Sequence, residues 1–257
     1  MRLLAIDIGN SRIKCALFLE TEIERTFEMA SDRLASGASY RHALRSHVGD
    51  LIPQRAAIAS VVPELDERIS DAVKREFMLL PEFIRAGDLD ERLLEYHPPA
   101  SLGADRLAAA IAGHLLYGGG GRPVIVIDAG TAVTFEVVGS TGRYLGGAIW
   151  AGPQLVADAL SRGTSLLPDI SPALPKRLPA TDTESCIRAG ILYGFLDGAA
   201  GILDRLQKKA GPTTYTVATG GYGSWLCERL DSIQAFDPTL VLHGIRLIVE
   251  GRLPTPE

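Results

Sequence analysis

The stretch AIDIGNSRIK (residues 5–14) places Asp7 directly after an apolar run and follows it with a glycine and a short polar tip. Much later, VIVIDAGTAVTFEVV (residues 124–138) repeats this arrangement around Asp128, with apolar residues in the same relative places. In both stretches, two short apolar runs flank turn residues, which is typical of a tight β-hairpin. The repetition predicts that the chain builds the same acid-tipped hairpin twice.

Composition limits the protein classes that fit this chain. With 257 residues, 46% of them hydrophobic, it can bury a large core as one domain or as two lobes. The formal net charge of −5 gives no long-range attraction to nucleic acid or to an anionic membrane surface. We therefore expect neither nucleic acid nor a membrane as a partner.

The three cysteines, Cys15, Cys186 and Cys227, are far apart in the sequence. Their odd number and spacing fit neither a disulfide framework nor a zinc ligand set. The sequence has no apolar run approaching the ~20 residues of a membrane helix, and an acid interrupts the first apolar run. We expect a cytoplasmic protein.

The order of predicted elements repeats along the chain. The first half reads as three strands (RLLAIDIG, RIKCALF, EIERTFEM), a buried strand over 55–62, the helix ELDERISDAVKREF, the strand EFIRAG and the alanine-rich helix ADRLAAAIAGHLLY. After a glycine run, the second half reads as three strands, the helix PQLVADALSRG, a long helix from Thr183 to about Lys209, the strand TYTVATGG and two final helices. This predicts an α/β fold with two pseudo-repeated lobes, residues 1–117 and 118–257.

The duplicated hairpin indicates a chemistry. Backbone N–H groups at a tight glycine-containing tip can bind phosphate oxygens, and a carboxylate at the end of the strand can hold a cation. Phosphoryl transfer depends mainly on positioning and charge neutralisation, which two facing hairpins with Mg²⁺ would supply. A single Asp-x-Gly would more simply be a turn. The matched second copy favours a phosphate clamp.

Several motifs resemble the type III pantothenate kinase family, within the superfamily of acetate and sugar kinases, heat-shock proteins and actin. DIGNSRIK resembles the first phosphate motif, GADRLAAAIAG the substrate motif and DAGTAVTFEVV the second phosphate motif, and YLGGAIWAG, TDTESCIRAGILYG and ATGG resemble later motifs. Together they cover residues 1 to about 221 in the family's order. GADR before DxGTAxT is specific to this family within the superfamily.

The resemblance implies both a fold and an activity. The fold would be two ribonuclease H-like lobes of the actin-like ATPase superfamily. The activity would be ATP-dependent phosphorylation of pantothenate to 4′-phosphopantothenate, the first step toward coenzyme A, with Mg²⁺ and a monovalent cation, K⁺ or NH₄⁺. Family members form homodimers, so we expect one here. The alternatives are a phosphatase of the same superfamily and a nucleotide-binding regulator with weak catalysis.

The resemblance also assigns the substrate side of the site. It makes Asp105 the general base, although an aspartate at a helix start is also favoured by the helix dipole. Arg106 has five fixed donors suited to polar substrate groups. The full set of implied substrate contacts is Tyr96, Gly103, Ala104, Asp105, Arg106 and Thr183. For Thr183, a helix-capping role is the alternative.

On the nucleotide side, the resemblance assigns the first hairpin to ATP. The implied contacts are Asp7, Ile8, Gly9, Asn10, Ser11, Arg12, Ile13 and Lys14, with Thr131 as a further contact from the second hairpin. Lys14 alternates with apolar neighbours, so it faces phosphate or water. Asp7 would help to place Mg²⁺-ATP. Asp128, which we expect to lack a positive partner, would hold the monovalent cation.

Three positions depart from the family pattern. Ala151 stands where proline is usual and Glu136 where aspartate is common, and we expect both to affect strand geometry more than chemistry. Asp182 replaces the usual asparagine and would add a negative charge beside the substrate pocket.

Overall fold

Two five-stranded mixed sheets form the framework of the computed structural model, which describes residues 1–254. The first sheet contains β1 (Arg2–Ile8), β2 (Arg12–Leu19), β3 (Glu22–Ala30), β4 (Arg55–Ser60) and β5 (Glu82–Phe83). The second contains β6 (Val124–Ala129), β7 (Ala132–Val138), β8 (Tyr144–Ala151), β9 (Tyr215–Thr219) and β10 (Ala235–Phe236).

The two sheets have the same topology. Their strand orders are β3-β2-β1-β4-β5 and β10-β9-β6-β7-β8, so each strand of the first has a counterpart five places later in the second. In both, the first three strands form an antiparallel meander and the next two add in parallel. The predicted α/β fold with a repeated lobe is confirmed.

The helices are α1 (Gly37–Val48), α2 (Pro63–Phe77), α3 (Ala104–Tyr117), α4 (Pro153–Gly163), α5 (Thr183–Ala210), α6 (Gly223–Cys227) and α7 (Leu240–Val249). Helix α1 is not among the predicted elements, although Tyr40, Leu44 and Val48 recur every four residues and face the core behind the N-cap Ser36. The strand predicted over EFIRAG is only two residues long, because a 3₁₀ turn begins at Ala86.

Helices α3 and α7 lie between the two sheets and pack against each other. Helix α3 contacts β6 and β7 of the second sheet, and α7 contacts β1 and β4 of the first. One hydrophobic cluster therefore runs from Leu3 and Ala5 through both helices to Val124 and Val126. This layer holds the start of α3 beside the ends of β1 and β6, where the hairpin aspartates lie.

Helix α5 covers the outer face of the second sheet, where Phe195, Ala199 and Leu203 join its core. In contrast to the expectation that no segment is long and apolar enough, α5 is by length and composition alone the one helix within residues 1–254 that could cross a membrane. One third of its most apolar stretch is buried inside the fold. The remainder leaves an exposed face that includes Gly190 and Gly194.

Candidate active site

The first hairpin directs its aspartate toward the layer between the sheets. Ile6 and Ile8 point into the core on the other face of the sheet, so Asp7 points the opposite way and is nevertheless buried, with 8% of its surface exposed. Lys14 lies directly across the strand pair from Asp7. The predicted orientation of Lys14, away from its apolar neighbours, is confirmed.

The tips of the two hairpins meet. The hydroxyls of Ser11 and Thr131 lie 2.8 Å apart and share a hydrogen bond. Behind them, the Ser31 hydroxyl donates to the Gly9 carbonyl, and the Gly152 N–H donates to the Thr131 carbonyl over 2.9 Å. The structure thus brings together residues that are 120 positions apart in the sequence.

Three carboxylates interact electrostatically where the hairpins meet α3. Burial raises the pKa of Asp7 to about 8, and the negative charges of Asp105 and Asp128 add to this rise while Lys14 opposes it. Burial likewise raises the pKa of Asp128 to about 6, with Lys14 opposing and Asp105 contributing. Each raised pKa disfavours the charged form of the carboxyl, so a cation bound beside it would favour the carboxylate form.

The position of Lys14 bears on the expectation that Asp128 lacks a positive partner. Aligning the hairpins by residue number puts Phe135 in the place of Lys14, but the pairing puts Thr134 opposite Asp128, because the first hairpin has a longer tip. The charge of Lys14 acts on Asp128 as well as on Asp7. The second hairpin itself gives Asp128 no positive partner, because Thr134 lies opposite it, and the positive charge that acts on Asp128 comes from Lys14 of the first hairpin.

Asp105 lies in the first turn of α3. Its Oδ1 accepts a hydrogen bond of 2.7 Å from the backbone N–H of Arg106, while burial raises the pKa of its carboxyl. Gly103, the N-cap residue, leaves the space that this conformation needs, because a Cβ there would lie 2.7 Å from Asp105 Oδ1. The carboxylate is thus held at the helix start, within electrostatic range of both hairpins.

The Arg106 side chain turns away from Asp105 and binds Glu136. Nε and Nη2 donate to the two carboxylate oxygens over 2.8 and 2.9 Å, and both side chains are buried. Nη2 also donates to the Tyr144 hydroxyl, and Nη1 donates to the Tyr96 hydroxyl over 3.3 Å. Burial alone lowers the pKa of Arg106, but Glu136 outweighs this effect and raises it.

Two expectations change here. Most of the Arg106 donors serve Glu136 and Tyr144 rather than open space, so the guanidinium has little left for a ligand. Glu136 was expected to affect strand geometry, but its carboxylate instead forms the ion pair that holds Arg106. A long-range side-chain contact of this kind leaves no trace in the local sequence pattern.

Thr183 lies on a different helix from Asp105 and Arg106. It is exposed at the first position of α5, and none of the hydrogen bonds described within residues 1–254 joins it to Asp105 or Arg106. Asp182 is the helix N-cap, and its carboxylate accepts the Ser185 N–H over 2.9 Å. That hydrogen bond lowers the pKa of Asp182 and gives it a local structural role.

Gly220 is a site residue absent from the predicted set. Its φ of +81° favours glycine, and a Cβ would lie 2.4 Å from Asp128 Oδ1. The next turn is anchored nearby, because the Tyr222 N–H donates to the Ala129 carbonyl. The glycine pair in ATGG was the sequence signal for this close approach.

Within residues 1–254, no group of three or more His, Cys, Asp or Glu side chains is arranged to hold a metal ion. Mg²⁺ is usually bound through one or two carboxylates together with substrate phosphates and water. Asp7 and Asp128 fit that pattern, since each offers a carboxylate beside a hairpin tip suited to phosphate.

Comparison with known proteins decides the family. The family model described as type III pantothenate kinase matches residues 3–205. The chain belongs to the type III pantothenate kinase family. It is 40% identical to type III pantothenate kinase 1 of Symbiobacterium thermophilum over 262 residues, covering 98% of this chain and 97% of that protein. The type III pantothenate kinase of Moorella thermoacetica is 36% identical, covering 96% and 98%.

Solved structures agree on the architecture. The ethanolamine utilization protein EutJ from Carboxydothermus hydrogenoformans superposes with a TM-score of 0.55 at 15% identity, covering 96% of this chain and 89% of that one. With the repeated sheet topology, this confirms the predicted two-lobed, actin-like ATPase architecture. Ala151, where proline is usual in the family, is the last residue of β8 and pairs with Ala132 of β7.

Proposed function

We propose that the protein is a pantothenate kinase, which transfers the γ-phosphoryl group of ATP to pantothenate and yields 4′-phosphopantothenate, the first step of coenzyme A biosynthesis. The observation that carries this proposal is the meeting of the two hairpins at Ser11 and Thr131, beside the Asp105 carboxylate, in a chain of the type III family. The hairpins supply phosphate contacts and Asp105 supplies a base.

The nucleotide lies along the first hairpin. Residues 7–14 offer backbone N–H groups, the Ser11 hydroxyl and the positive charge of Lys14 to the phosphates, and Thr131 contributes from the second hairpin. ATP entering the cleft would replace the Ser11–Thr131 hydrogen bond with contacts from both hydroxyls to phosphate oxygen. Lys14 between the two aspartates keeps positive charge beside the transferring group.

Asp105 accepts the proton of the pantothenate primary hydroxyl. As that oxygen forms its bond to the γ-phosphorus, the bond from phosphorus to the β,γ-bridging oxygen breaks and ADP leaves. Burial raises the pKa of the Asp105 carboxyl, which makes it a better proton acceptor than an exposed aspartate. The Arg106 N–H keeps the carboxylate oriented.

The remaining substrate contacts are proposed on the family resemblance. Tyr96, Gly103, Ala104 and Arg106 surround the start of α3, and Tyr96 is held there by Arg106. Thr183 keeps its proposed role on the resemblance alone.

Cations complete the site. Asp7, together with the nucleotide phosphates, would hold Mg²⁺, which would supply positive charge to the transferring group. A monovalent cation, K⁺ or NH₄⁺, is proposed at Asp128. The support for it is the raised pKa of Asp128, because a bound cation would stabilise the charged form of that carboxyl.

We also propose a homodimer and a cytoplasmic location, without nucleic acid or membrane as a partner, and a lobe division at residues 1–117 and 118–257. The exposed face of α5 supports self-association. Adding a Cβ at Gly190 or Gly194 would meet no other atom within 4 Å, so a second backbone can approach closely there.

The test is an assay of purified protein with ATP, Mg²⁺ and pantothenate. We expect ADP release only when pantothenate is present, with a product whose mass has increased by one phosphoryl group. ATP hydrolysis independent of pantothenate would favour the phosphatase alternative. Nucleotide binding without turnover would favour the regulator.

A further inference from the structure

Glu136 is an acidic side chain with no exposed surface. Its neighbours on β7, Phe135 and Val137, pack into the core on the outer face of the second sheet, so Glu136 points the other way, toward α3. Gly147 lies opposite it on β8, and a Cβ there would approach Glu136 Oε2 to 3.3 Å. The nearest atom to that Cβ would be the Phe135 carbonyl oxygen at 1.7 Å, so the glycine makes room for the sheet backbone first and for the carboxylate second.

The carboxylate is fully occupied by two partners. Arg106 binds both oxygens side by side over 2.8 and 2.9 Å. The Tyr144 hydroxyl donates to Oε2 over 2.5 Å and accepts from Arg106 Nη2 over 2.9 Å. A two-point contact between planar groups fixes the orientation of the guanidinium as well as its position.

Few of the Arg106 donors remain for a ligand. Of its five N–H groups, Nε and both on Nη2 are taken by Glu136 and Tyr144. Nη1 donates to Tyr96, whose ring also lies 5.6 Å from the guanidinium carbon. One Nη1 hydrogen is unused among the described hydrogen bonds, so Arg106 keeps a single donor for a ligand.

We propose that Glu136 is a positioning residue for substrate binding: it holds Arg106 so that one Nη1–H group meets the pantothenate carboxylate, and through Arg106 it holds Tyr96. This inference rests on the proposed function. Glu136 touches neither substrate nor nucleotide, and its effect is on the affinity for pantothenate rather than on phosphoryl transfer.

The experiment compares Glu136→Gln and Glu136→Asp with the wild type. In Glu136→Gln the side chain keeps its shape but carries no charge, so the ion pair that fixes the orientation of Arg106 is lost. We expect the pantothenate KM to rise about 10-fold or more, the scale of one charge-assisted hydrogen bond. The ATP KM and kcat should stay within about threefold. Glu136→Asp keeps the charge and should restore most of the pantothenate affinity.

Two controls make the result specific. Glu76→Gln removes the charge of another Glu that pairs with an arginine, Arg45 over 3.0 Å, on the α1–α2 surface, and should leave both KM values unchanged. Pantothenyl alcohol, which carries CH₂OH in place of the carboxylate, should bind wild type and Glu136→Gln with similar KM values. A penalty that persists with the alcohol would overturn the proposal.

A pantothenate KM unchanged in folded Glu136→Gln would also overturn it. If that variant does not fold, Tyr144→Phe replaces it, because it removes only the hydroxyl between Glu136 and Arg106. The pantothenate KM should then rise several-fold with the ATP KM unchanged, and no rise would count against the proposal. Wild-type protein lacking any pantothenate-dependent ADP release would instead refute the proposed function.

Discussion

Asp105 is held at the start of α3 by the backbone N–H of its own neighbour, independently of any ligand. Asp105→Asn keeps that hydrogen-bond acceptor but removes the base, so we expect an intact fold and normal ATP binding with turnover reduced about 10²-fold or more. Steady-state kinetics and calorimetric titration with ATP measure the two effects separately. Near-normal turnover would remove Asp105 from the mechanism.

Asp7 gives the apo protein a pH-dependent stability. An unfolded aspartate titrates near 4, whereas burial raises the pKa of folded Asp7 to about 8. Between these values the folded state keeps a proton that the unfolded state has lost, so the free energy of unfolding falls as pH rises. Asp7→Asn should therefore be inactive but more stable than wild type at pH 8, with the difference shrinking toward pH 5.

The measurement is the melting temperature at both pH values, without nucleotide or metal. Each 1 kcal/mol corresponds to roughly 2–4 °C for a chain of this size. Asp50→Asn, at an exposed position, serves as the matched control. An Asp7→Asn advantage of the same size at pH 5 and pH 8 would contradict the assignment.

Asp128 is the residue through which a monovalent cation would act. With Na⁺ as the only monovalent cation we expect low activity, which rises as K⁺ or NH₄⁺ is titrated in. In Asp128→Ala this response should disappear. Full activity in Na⁺ alone would contradict a site selective for K⁺ or NH₄⁺. An unchanged K⁺ response in Asp128→Ala would show that the cation binds elsewhere in the molecule.

At the scale of elements, Gly198 of α5 lies against the Trp150 ring of β8. A Cβ at Gly198 would lie 2.3 Å from the Trp150 ring, which is too close for any real contact. Gly198→Ala should therefore destabilise the protein by about 1–3 kcal/mol, the usual cost of overpacking. Thermal denaturation measures this.

The control for that prediction is Gly201→Ala on the same helix. The nearest atom to its added Cβ is the flexible end of Arg205, so alanine should be neutral or stabilising by up to about 1 kcal/mol. Equal destabilisation by both variants would contradict the prediction, because only the Cβ at position 198 clashes with the Trp150 ring.

The elements that the sequence predicted well are those with a strong local pattern. Both hairpins have short apolar runs on either side of a glycine-containing tip, and α3 is rich in alanine, so each is specified by its own residues. Helix α1 was not predicted because polar residues fill the turns between its buried positions. The two-residue strand β10 depends entirely on pairing with β9.

The candidate site was predictable only in part. The motif positions around Asp7 and Asp128 converge as expected, since equivalent strand ends of the two lobes face each other. The direction of Arg106 and the shared charge of Lys14 were not predictable. Both depend on side chains that meet across separate elements, and no local spacing records that.

For the whole molecule, the exposed face of α5 predicts its assembly. Light scattering should give twice the monomer mass at assay concentration. Gly194→Asp places a charge where we expect the second backbone to approach, and should shift the protein toward monomer. Gly119→Asp, at another glycine with open space around it, should not. An active wild-type monomer would overturn the dimer.

The position of α7 between the sheets has a consequence for biosynthesis. The face of the first sheet formed by Leu3, Ala5 and Phe18 is covered by a helix that the ribosome makes only after both sheets. During translation this apolar face stays exposed to solvent until α7 has been made. In that interval it can bind chaperones or associate with other nascent chains. Nascent chains stalled before Leu240 should accordingly be cleaved by protease within the first sheet, and chains released after Val249 should resist.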